Sequence, residues 1–572
     1  MEAGGMQNMY VRKPSRKLVL AICLATAVVL AISGIGYSAT PRATDFPRFI
    51  PVVSGRNGAV AAPSSAATSV GLKVLMDGGN AIDAAVSAAA TATVSEFMAS
   101  GIGGHGIMVM YWAKTGEVKV LDWGGFLPHA FTLDQFGTPA TPPPETSVLD
   151  TIFPGTLAGW AEALKSYGTI SLSDALQPAI EYAEEGIAVN PWIANSAEDY
   201  AIDTLKDAFP ELVEICMPEG RMPKVGDILK FPDLAQTYKL IAEKGPDVFY
   251  KGELGDKVVS YLNENGSRFT KEEFANYKPI WRDTLSTTYR DEYEIFVAKN
   301  QNFTPVVLTM FNIWENFDLR NMGIISPETL HLIIETSKIA LADRTAYYGD
   351  PDFVDVPYDI LTSKDYGKRM AQRIDMKKAA PDMPGELKSG ESTTNIAVVD
   401  KDHNMVLITQ TLGDFFGSRH VVPGTGIILN NEGLFFDFEP VNGPNYPAPG
   451  KRVENQMGGV IVLKNGKVWG GMGTPGGTQI PLIMAQVFMR MIDHDLKIQD
   501  AIEVPRTRYR GNQNVQIEKA VPWETIEQLW QMGHRVTNPS YLCGISGVWV
   551  DPDTGVMEAG AEPSRNYWRG AY

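Results

Sequence analysis

The sequence has few cysteines and few histidines. Only three cysteines occur in 572 residues, and Cys23 lies in the N-terminal apolar stretch. Cys216 and Cys543 alone are too few for the disulfide framework that organises many exported domains. The seven histidines are scattered, and none has the spacing of a zinc motif. The sequence therefore predicts neither a disulfide scaffold nor a metal centre.

Positive charge is also scarce. The formal charge is −17, and because the first 38 residues contribute +3, the remainder of the chain carries −20. Nucleic acid is densely negative, so a body of this charge excludes it as a partner. The composition is otherwise that of a globular protein, with 44% apolar and 20% charged residues.

One long apolar run occurs, from Leu18 to Ser33, behind a basic flank. It ends in small residues up to Ala39, a pattern typical of an export signal that is cleaved near Ser38 or Ala39. Its length of about 16 residues is borderline for an uncleaved membrane anchor. Residues 1–39 are therefore predicted to be a signal peptide or N-terminal anchor. The rest of the chain is expected outside the cytoplasm, periplasmic or extracellular, and membrane-anchored if the segment is retained.

The first part of the exported chain reads as mixed helix and strand. Alanine-rich blocks at 69–76 and 81–94 predict two helices, and 107–112 with 118–123 predict two paired strands. The glycine run 101–106 matches the dinucleotide fingerprint GxGxxG. That fingerprint needs a strand before it and a helix after it, and here the order is reversed. No nucleotide site and no cofactor are predicted.

Two hairpins and a glycine-rich turn follow later. Residues 396–399 pair with 405–409, and 460–463 with 467–471. The sequence Gly473-Thr-Pro-Gly-Gly477 then leads into an apolar helix. Glycines at a strand-to-helix junction let backbone N–H groups approach a ligand, as in an oxyanion hole. A tight turn without chemistry fits the same letters.

Two adjacent threonines, Thr393 and Thr394, follow a polar spacer, Lys377–Gly390. Threonine favours strands, so a strand that begins with this pair is the simpler interpretation of the string alone. Cleavage before Thr393 would place a free α-amine, of pKa ~7.7 to 8, beside the Thr393 hydroxyl. That amine could act as the base that activates the hydroxyl as a nucleophile.

Nine motifs in order resemble those of the γ-glutamyltranspeptidase (glutathione hydrolase) family of N-terminal-nucleophile, or Ntn, hydrolases. They are AAP at 61–63, GGNAIDAAV at 78–86, SGIGGHG at 100–106, FPGTLAGW at 153–160, YAEEG at 182–186, YGDPDF at 348–353, TTNIAVVD at 393–400, GTGIILNN at 424–431 and GTPGG at 473–477. The resemblance implies an α+β fold, a four-layer αββα sandwich that cuts itself between Ser392 and Thr393. Residues 40–392 would form the large subunit, and residues 393–572 the small subunit that carries the nucleophile.

The resemblance also implies the chemistry. The Thr393 hydroxyl would attack the substrate amide, and the acyl-enzyme would be released to water or to an amine. Thr411 would hold the nucleophile, and the N–H groups of Gly476 and Gly477 would stabilise the oxyanion. Thr394 is the competing candidate for the nucleophile.

The positions that bind the glutamyl group in the family have changed. The family's arginine, asparagine, aspartate and serine pair, together with a histidine near the nucleophile, are replaced here by Gly124, Gly413, Phe435, Asn455, Gln456 and Asn395. Asp437 is the carboxylate nearest to the aspartate position. Losing these groups removes charge-assisted hydrogen bonds, each worth on the order of 1.5–3 kcal/mol. A γ-glutamyl substrate is therefore expected to bind poorly.

Three residues near these positions carry open interpretations. His105 replaces a glycine of the family's glycine run and either reaches the cleft or is an ordinary core residue. Arg419 and His420 lie in a loop that either receives a carboxylate or is solvated.

The sequence thus predicts an exported, self-processing amidohydrolase or acyltransferase for a small-molecule amide that is not γ-glutamyl. The predicted partners are this substrate and the two subunits of one precursor. One alternative is a true γ-glutamyltransferase with relocated recognition groups. Another is a non-catalytic binding protein that is retained as an intact precursor.

Overall fold

The computed structural model describes residues 51–137, 144–381, 392–539, 542–562 and 565–572. The predicted signal or anchor, residues 1–39, lies outside the described residues, as does most of the predicted spacer. The strands are β1 Val53–Gly55, β2 Gly58–Ala62, β3 His105–Trp112, β4 Glu117–Asp122, β5 Ile187–Ala188, β6 Ile228–Leu229, β7 Ile280–Arg282, β8 Thr284–Tyr289, β9 Tyr293–Ala298, β10 Thr394–Asp400, β11 Met405–Thr411, β12 Val421–Val422, β13 Ile427–Ile428, β14 Val460–Lys464, β15 Lys467–Gly473, β16 Thr507–Gly511, β17 Asn514–Ile517, β18 Arg535–Thr537, β19 Ser546–Val550, β20 Met557–Ala561 and β21 Trp568–Ala571.

Helices separate many of these strands. The α-helices are Ser65–Met76, Ala81–Ser95, Leu133–Phe136, Thr156–Tyr167, Leu172–Glu185, Pro191–Asp199, Pro210–Cys216, Pro232–Lys244, Asp247–Tyr250, Glu253–Glu264, Lys271–Asn276, Val306–Trp314, Pro327–Tyr347, Tyr358–Leu361, Lys364–Ala371, Ile480–Asp493, Ile498–Glu503 and Trp523–Met532. Short 3₁₀ turns are Val148–Asp150, Ile202–Thr204, Leu319–Asn321, Glu432–Phe435 and Gly477–Gln479. No helix among the described residues combines the length and apolar character needed to cross a membrane.

Two antiparallel seven-stranded sheets form the centre of the fold. Sheet 1 has the order β21-β2-β10-β11-β3-β4-β7, and sheet 2 has the order β1-β20-β19-β15-β14-β9-β8. Strand β10 pairs antiparallel with both β2 and β11, and β11 also pairs with β3. Both sheets therefore combine strands from before and after the predicted cleavage point, and in each sheet later strands lie between earlier ones.

The alternation of side chains along β10 explains the layering. Ile396 and Val398 pack into the core between sheet 1 and its helices, whereas Ala397 and Val399 pack between the two sheets. Successive side chains of a strand point to opposite faces, so a strand with two covered faces is apolar over most of its length. The whole of β10 is buried.

Helices cover the outer face of each sheet. Ser65–Met76 and Ala81–Ser95 contact sheet 1, and Val306–Trp314, Ile480–Asp493 and Ile498–Glu503 contact sheet 2. The order of layers is therefore helix, sheet, sheet, helix. This confirms the predicted four-layer αββα sandwich and the α+β class.

The local patterns predict the central elements to within a few residues. The helix predicted from 81 to 94 is observed as Ala81–Ser95, and Asn80 caps it with its side chain on the N–H groups of Ile82 and Asp83. The helix predicted from residue 69 begins earlier, at Ser65. The Ser64 hydroxyl accepts the N–H of Ala67 and fixes that start.

Candidate active site

Thr393 and Thr411 meet where β10 and β11 lie side by side. The Thr393 hydroxyl donates a hydrogen bond of 3.0 Å to Thr411 Oγ1. Thr411 Oγ1 also accepts the N–H of Gly413 at 2.9 Å, so the turn after β11 fixes its position. Both threonines are buried. The structure thus brings together the two residues that the resemblance assigns to the nucleophile and its support.

The backbone at this junction is unusual. Thr393 has φ of 103°, a region that a β-branched residue rarely enters, and such outliers cost of order 1–3 kcal/mol. The preceding Ser392 is fully buried, and its hydroxyl donates to the carbonyl of Ala99 at 3.3 Å. The Ser392–Thr393 bond is therefore held in a fixed and strained conformation. Thr394, by contrast, donates its hydroxyl to the Gln410 carbonyl within the sheet.

The sequence analysis misses two buried ionisable residues, Arg565 beside Thr393 and Glu96 near Arg565. Arg565 donates from Nη2 to the Thr393 carbonyl at 3.3 Å, and its guanidinium lies 4.9 Å from the Trp192 ring centre and 5.7 Å from that of Phe415. Burial raises the pKa of Glu96 from 4.5 to about 8, although the charge of Arg565 opposes the shift. No local pattern could reveal this pair, because Arg565 lies 172 positions after Thr393.

The raised pKa of Glu96 predicts a pH-dependent stability. Between pH 4.5 and 8 the folded protein keeps a proton that the unfolded chain has lost, so the stability contributed by this group falls as pH rises. We expect E96Q to melt at a higher temperature than wild type at pH 8, with the difference shrinking toward pH 5. Thermal unfolding of E96Q and of the surface control E185Q, measured across this range, tests the prediction. An E96Q curve parallel to that of wild type would contradict it.

The predicted oxyanion turn, residues 473–477, packs near Arg565. Gly476 and Gly477 have φ of 125° and 62°, values that glycine adopts without steric cost. A β-carbon added at Gly544 would lie 3.2 Å from both the Pro475 ring and the Arg565 side chain. The turn therefore packs through Gly544 against the side chain that holds the Thr393 carbonyl.

Asn395 lies between the two sheets. Its amide nitrogen donates to Ser546 Oγ at 2.6 Å, and its carbonyl oxygen accepts from the Thr409 hydroxyl at 2.9 Å. A β-carbon added at Gly473 would lie 2.0 Å from the Asn395 carbonyl oxygen, so glycine is required there for the sheets to approach. The structure therefore shows Asn395 as a bridge from sheet 1 to sheet 2.

The position of the family's arginine is filled by neighbouring side chains. A β-carbon added at Gly124 would lie 2.4 Å from Gln301 Nε2. The carboxyl group of Asp122 accepts the Gly124 N–H at 2.8 Å, and Arg282 Nε is 3.5 Å from Asp122. The nearby arginine is thus already paired with a carboxylate of the protein.

Loops from both halves of the chain meet beside this position. The Phe303 amide donates to the Asn455 carbonyl at 3.3 Å, and the Asn302 side chain bonds the Met457 carbonyl. Gln456 is buried, with its side-chain nitrogen lacking a hydrogen-bond partner. The predicted positions Asn455 and Gln456 therefore lie on one wall, next to Gln301.

The remaining predicted positions each have close neighbours within the protein. Gly413 has φ of 101°, and a β-carbon there would come within 2.3 Å of Asn431 Oδ1. Phe435 is buried in an aromatic and aliphatic cluster with Phe436. Asp437 is paired with Arg344 at 3.3 Å.

The two loop residues with open interpretations both have protein partners. His420 hydrogen-bonds the Tyr261 hydroxyl. Arg419 lies over the Tyr200 ring.

His331, Glu335 and His534 place three potential metal-ligand atoms within 4.8 Å of one another. The Lys338 ammonium lies 2.8 Å from Glu335, and the two histidines face each other at 2.8 Å. Glu335 also accepts the N–H of Ala380 at 2.9 Å. A second cation would be repelled by the buried ammonium. The cluster is therefore better suited to holding the chain near Ala380, where the spacer begins, than to binding a metal.

Comparison with known proteins agrees with the fold. The Gamma-glutamyltranspeptidase family model matches residues 67–570. The glutathione hydrolase proenzyme of Escherichia coli (strain K12) is 35% identical over 531 residues, covering 89% of this chain and 91% of that protein. The Acylase ACY 1 proenzyme of Pseudomonas sp. (strain SE83) is 35% identical over 528 residues, covering 90% and 93%. The crystal structure of cephalosporin acylase from Bacillus halodurans superposes with a TM-score of 0.85 at 31% identity, covering 92% of this chain and 98% of that chain.

The chain therefore belongs to the γ-glutamyltranspeptidase family, as a divergent member. It has the fold of the Ntn hydrolases and is an enzyme of that amide-hydrolysing class.

Proposed function

We propose that the chain cuts itself between Ser392 and Thr393 and that Thr393 is then the nucleophile of an amidohydrolase or acyltransferase. The main support for this proposal is the 3.0 Å hydrogen bond from Thr393 Oγ1 to Thr411 Oγ1 at a strained peptide junction. The names of the relatives as proenzymes support processing. Residues 40–392 and 393–572 would be the large and small subunits.

Self-cleavage follows from this geometry. The Thr393 hydroxyl attacks the Ser392 carbonyl carbon, the C–N bond breaks, and the hydroxyl proton moves to the released amine. Water then hydrolyses the Ser392–Thr393 ester and regenerates the hydroxyl. The strain at Thr393, of order 1–3 kcal/mol, is released because φ of an N-terminal residue is no longer constrained by a preceding peptide.

In the cut protein the free α-amine of Thr393 is the base for the substrate reaction. It takes the proton as the hydroxyl attacks the substrate carbonyl and returns it to the leaving amine. Thr411 orients the hydroxyl, and Arg565 holds the Thr393 carbonyl. The N–H groups of Gly476 and Gly477 are the proposed oxyanion donors.

The proposed substrate is a small-molecule amide whose acyl group is not γ-glutamyl. Gln301 fills the space beside Gly124, and Arg282 faces Asp122, so a substrate carboxylate would have to displace a carboxyl group of the protein. The similarity to proteins named acylases, at the same identity as to a glutathione hydrolase, supports a different acyl group.

Turnover of γ-glutamyl-p-nitroanilide tests this proposal. We expect kcat/KM to be at least ~100-fold below that of the Escherichia coli glutathione hydrolase, because several charge-assisted bonds of ~1.5–3 kcal/mol each are missing. A screen of other acyl p-nitroanilides on the same preparation serves as the positive control. Activity near that of the Escherichia coli enzyme would instead establish the γ-glutamyltransferase alternative, which the 35% identity to that protein favours. A chain that stays uncut and inert would favour the binding-protein alternative.

A further inference from the structure

His105 lies beside Thr411 with no hydrogen bond to either ring nitrogen. In the pairing of β3 with β11, His105 stands directly opposite Thr411. Directly opposite residues of an antiparallel pair project to the same face, and Thr411 projects toward Thr393. The imidazole is fully buried. It therefore faces the same end of the intersheet layer as the nucleophile.

Glu432 lies next to His105. Its Oε2 atom lies 3.4 Å from His105 Nε2, and neither atom is hydrogen-bonded. Glu432 directly follows Asn431, whose Oδ1 accepts the N–H of Asp414 and thereby fixes the start of this turn. A buried polar group without a partner destabilises the fold, so a pair of such groups calls for an explanation.

Further unpartnered polar atoms continue along the adjacent wall. They are Gln301 Oε1, Asn302 Oδ1 and Gln456 Nε2, all on buried residues. These side chains belong to the two loops that meet beside Gly124. The amides are uncharged, so the wall offers hydrogen bonds rather than charge.

The ionisable groups near Glu432 are paired with one another. Arg344 lies 2.6 Å from Glu454 and 3.3 Å from Asp437. Burial raises the pKa of Glu454 to about 8 against the opposing charge of Arg344, and the charge of Glu432 contributes to the rise. Within the described part of this wall, a substrate carboxylate would therefore meet carboxyl groups and an arginine that is already engaged.

We infer that His105 is a specificity-determining residue that hydrogen-bonds an uncharged amide or hydroxyl group on the acyl half of the substrate. The Glu432 carboxyl group, 3.4 Å from Nε2, favours the tautomer that carries its proton on Nε2, which leaves Nδ1 to accept an N–H or O–H from the ligand. The amide side chains of the adjacent wall supply the complementary donors and acceptors. This inference rests on the proposed function, because it assigns the acyl group that Thr393 receives.

Four p-nitroanilides of matched length test the inference. Their acyl groups are glutaramyl, which ends in a primary amide, glutaryl, which ends in a carboxylate, 5-methylhexanoyl, which is apolar, and γ-glutamyl. We expect wild type to prefer glutaramyl over each of the others by ~10-fold or more in kcat/KM, since one well-placed hydrogen bond to a buried group is worth about that factor.

Replacing the histidine should abolish that preference. In H105L the ratio of kcat/KM for glutaramyl over 5-methylhexanoyl should fall to about one, and E432Q should lower it ~3- to 10-fold because the tautomer is no longer fixed. The matched control is H129L, which removes a histidine paired with Glu273 at 2.8 Å on the surface. Its ratio should stay at the wild-type value.

Self-cleavage of each variant distinguishes a failure of the inference about His105 from a failure of the proposed function. Appearance of the small fragment shows that a variant folds and keeps its nucleophile. If H105L stays uncut, the ratio of kcat/KM for glutaramyl over 5-methylhexanoyl is measured on H105Q and E432Q instead. A ratio that is unchanged in the processed histidine variant overturns the inference. A processed wild type that prefers another acyl group of the four, or uses none, also overturns it. A wild-type chain that is neither cut nor active overturns the proposed function itself.

Discussion

We expect Thr393→Ala to leave a single uncut chain, whereas the wild-type protein of 62.5 kDa should yield a fragment of about 20 kDa that begins at Thr393. Alanine removes the hydroxyl that is proposed to attack the Ser392 carbonyl, so both self-cleavage and amide hydrolysis should be lost completely. Denaturing electrophoresis with N-terminal sequencing of the fragment measures the first effect. Release of p-nitroaniline measures the second.

Two variants serve as controls for this result. Thr393→Ser keeps a hydroxyl and should still be cut, at a lower rate. Thr394→Val removes the competing hydroxyl, which is committed to the Gln410 carbonyl, and should be cut like wild type. If T394V stayed intact while T393A was processed, Thr394 would be the nucleophile.

Thr411→Val should slow both self-cleavage and substrate turnover by ~100-fold or more, the size expected when a group that orients a reacting proton is removed. Valine matches threonine in shape but has no oxygen for the Thr393 hydroxyl or the Gly413 N–H. Time courses of processing and, on the matured fraction, kcat for a p-nitroanilide provide the two rates. The loss should appear mainly in kcat.

The matched control for this prediction is Thr411→Ser, which retains the oxygen and should stay within ~10-fold of wild type. Equal rates for T411V and T411S would show that the Thr411 hydroxyl has no role in the mechanism. The packing of β11 would then be the reason for threonine at this position.

The fold could be predicted largely because its central strands are apolar on both faces and are joined by short hairpins. The hairpin of 396–399 with 405–409 is observed as β10 and β11, and the glycine turn leads into Ile480–Asp493 as expected. Strand order could not be read from such patterns. Hydrophobic alternation fixes which face a residue occupies but not which strand lies beside it, and the family resemblance supplied only the four-layer arrangement.

The site was only partly accessible to sequence reasoning. Thr393 and Thr411 come together as the resemblance implies. Arg565 reaches the Thr393 carbonyl, and Glu96 lies near Arg565, through contacts that no local pattern encodes. Asn395 was expected in the substrate pocket because it is close to the nucleophile in sequence. Its hydrogen bonds to Ser546 and Thr409 instead commit its side chain to the junction of the two sheets.

The interleaving of strands in both sheets sets how a cut molecule would unfold and refold. Strands β2 and β3 precede residue 392 and flank β10 and β11, which follow it. In sheet 2 the later strands β20, β19, β15 and β14 form one block between the earlier strands β1 and β9. An uncut chain can regain these pairings as a single molecule. Two separate chains must first find each other, so recovery after denaturation should depend on protein concentration once the Ser392–Thr393 bond is broken. Cleavage would therefore make assembly of this protein a one-time event, completed before the enzyme becomes active.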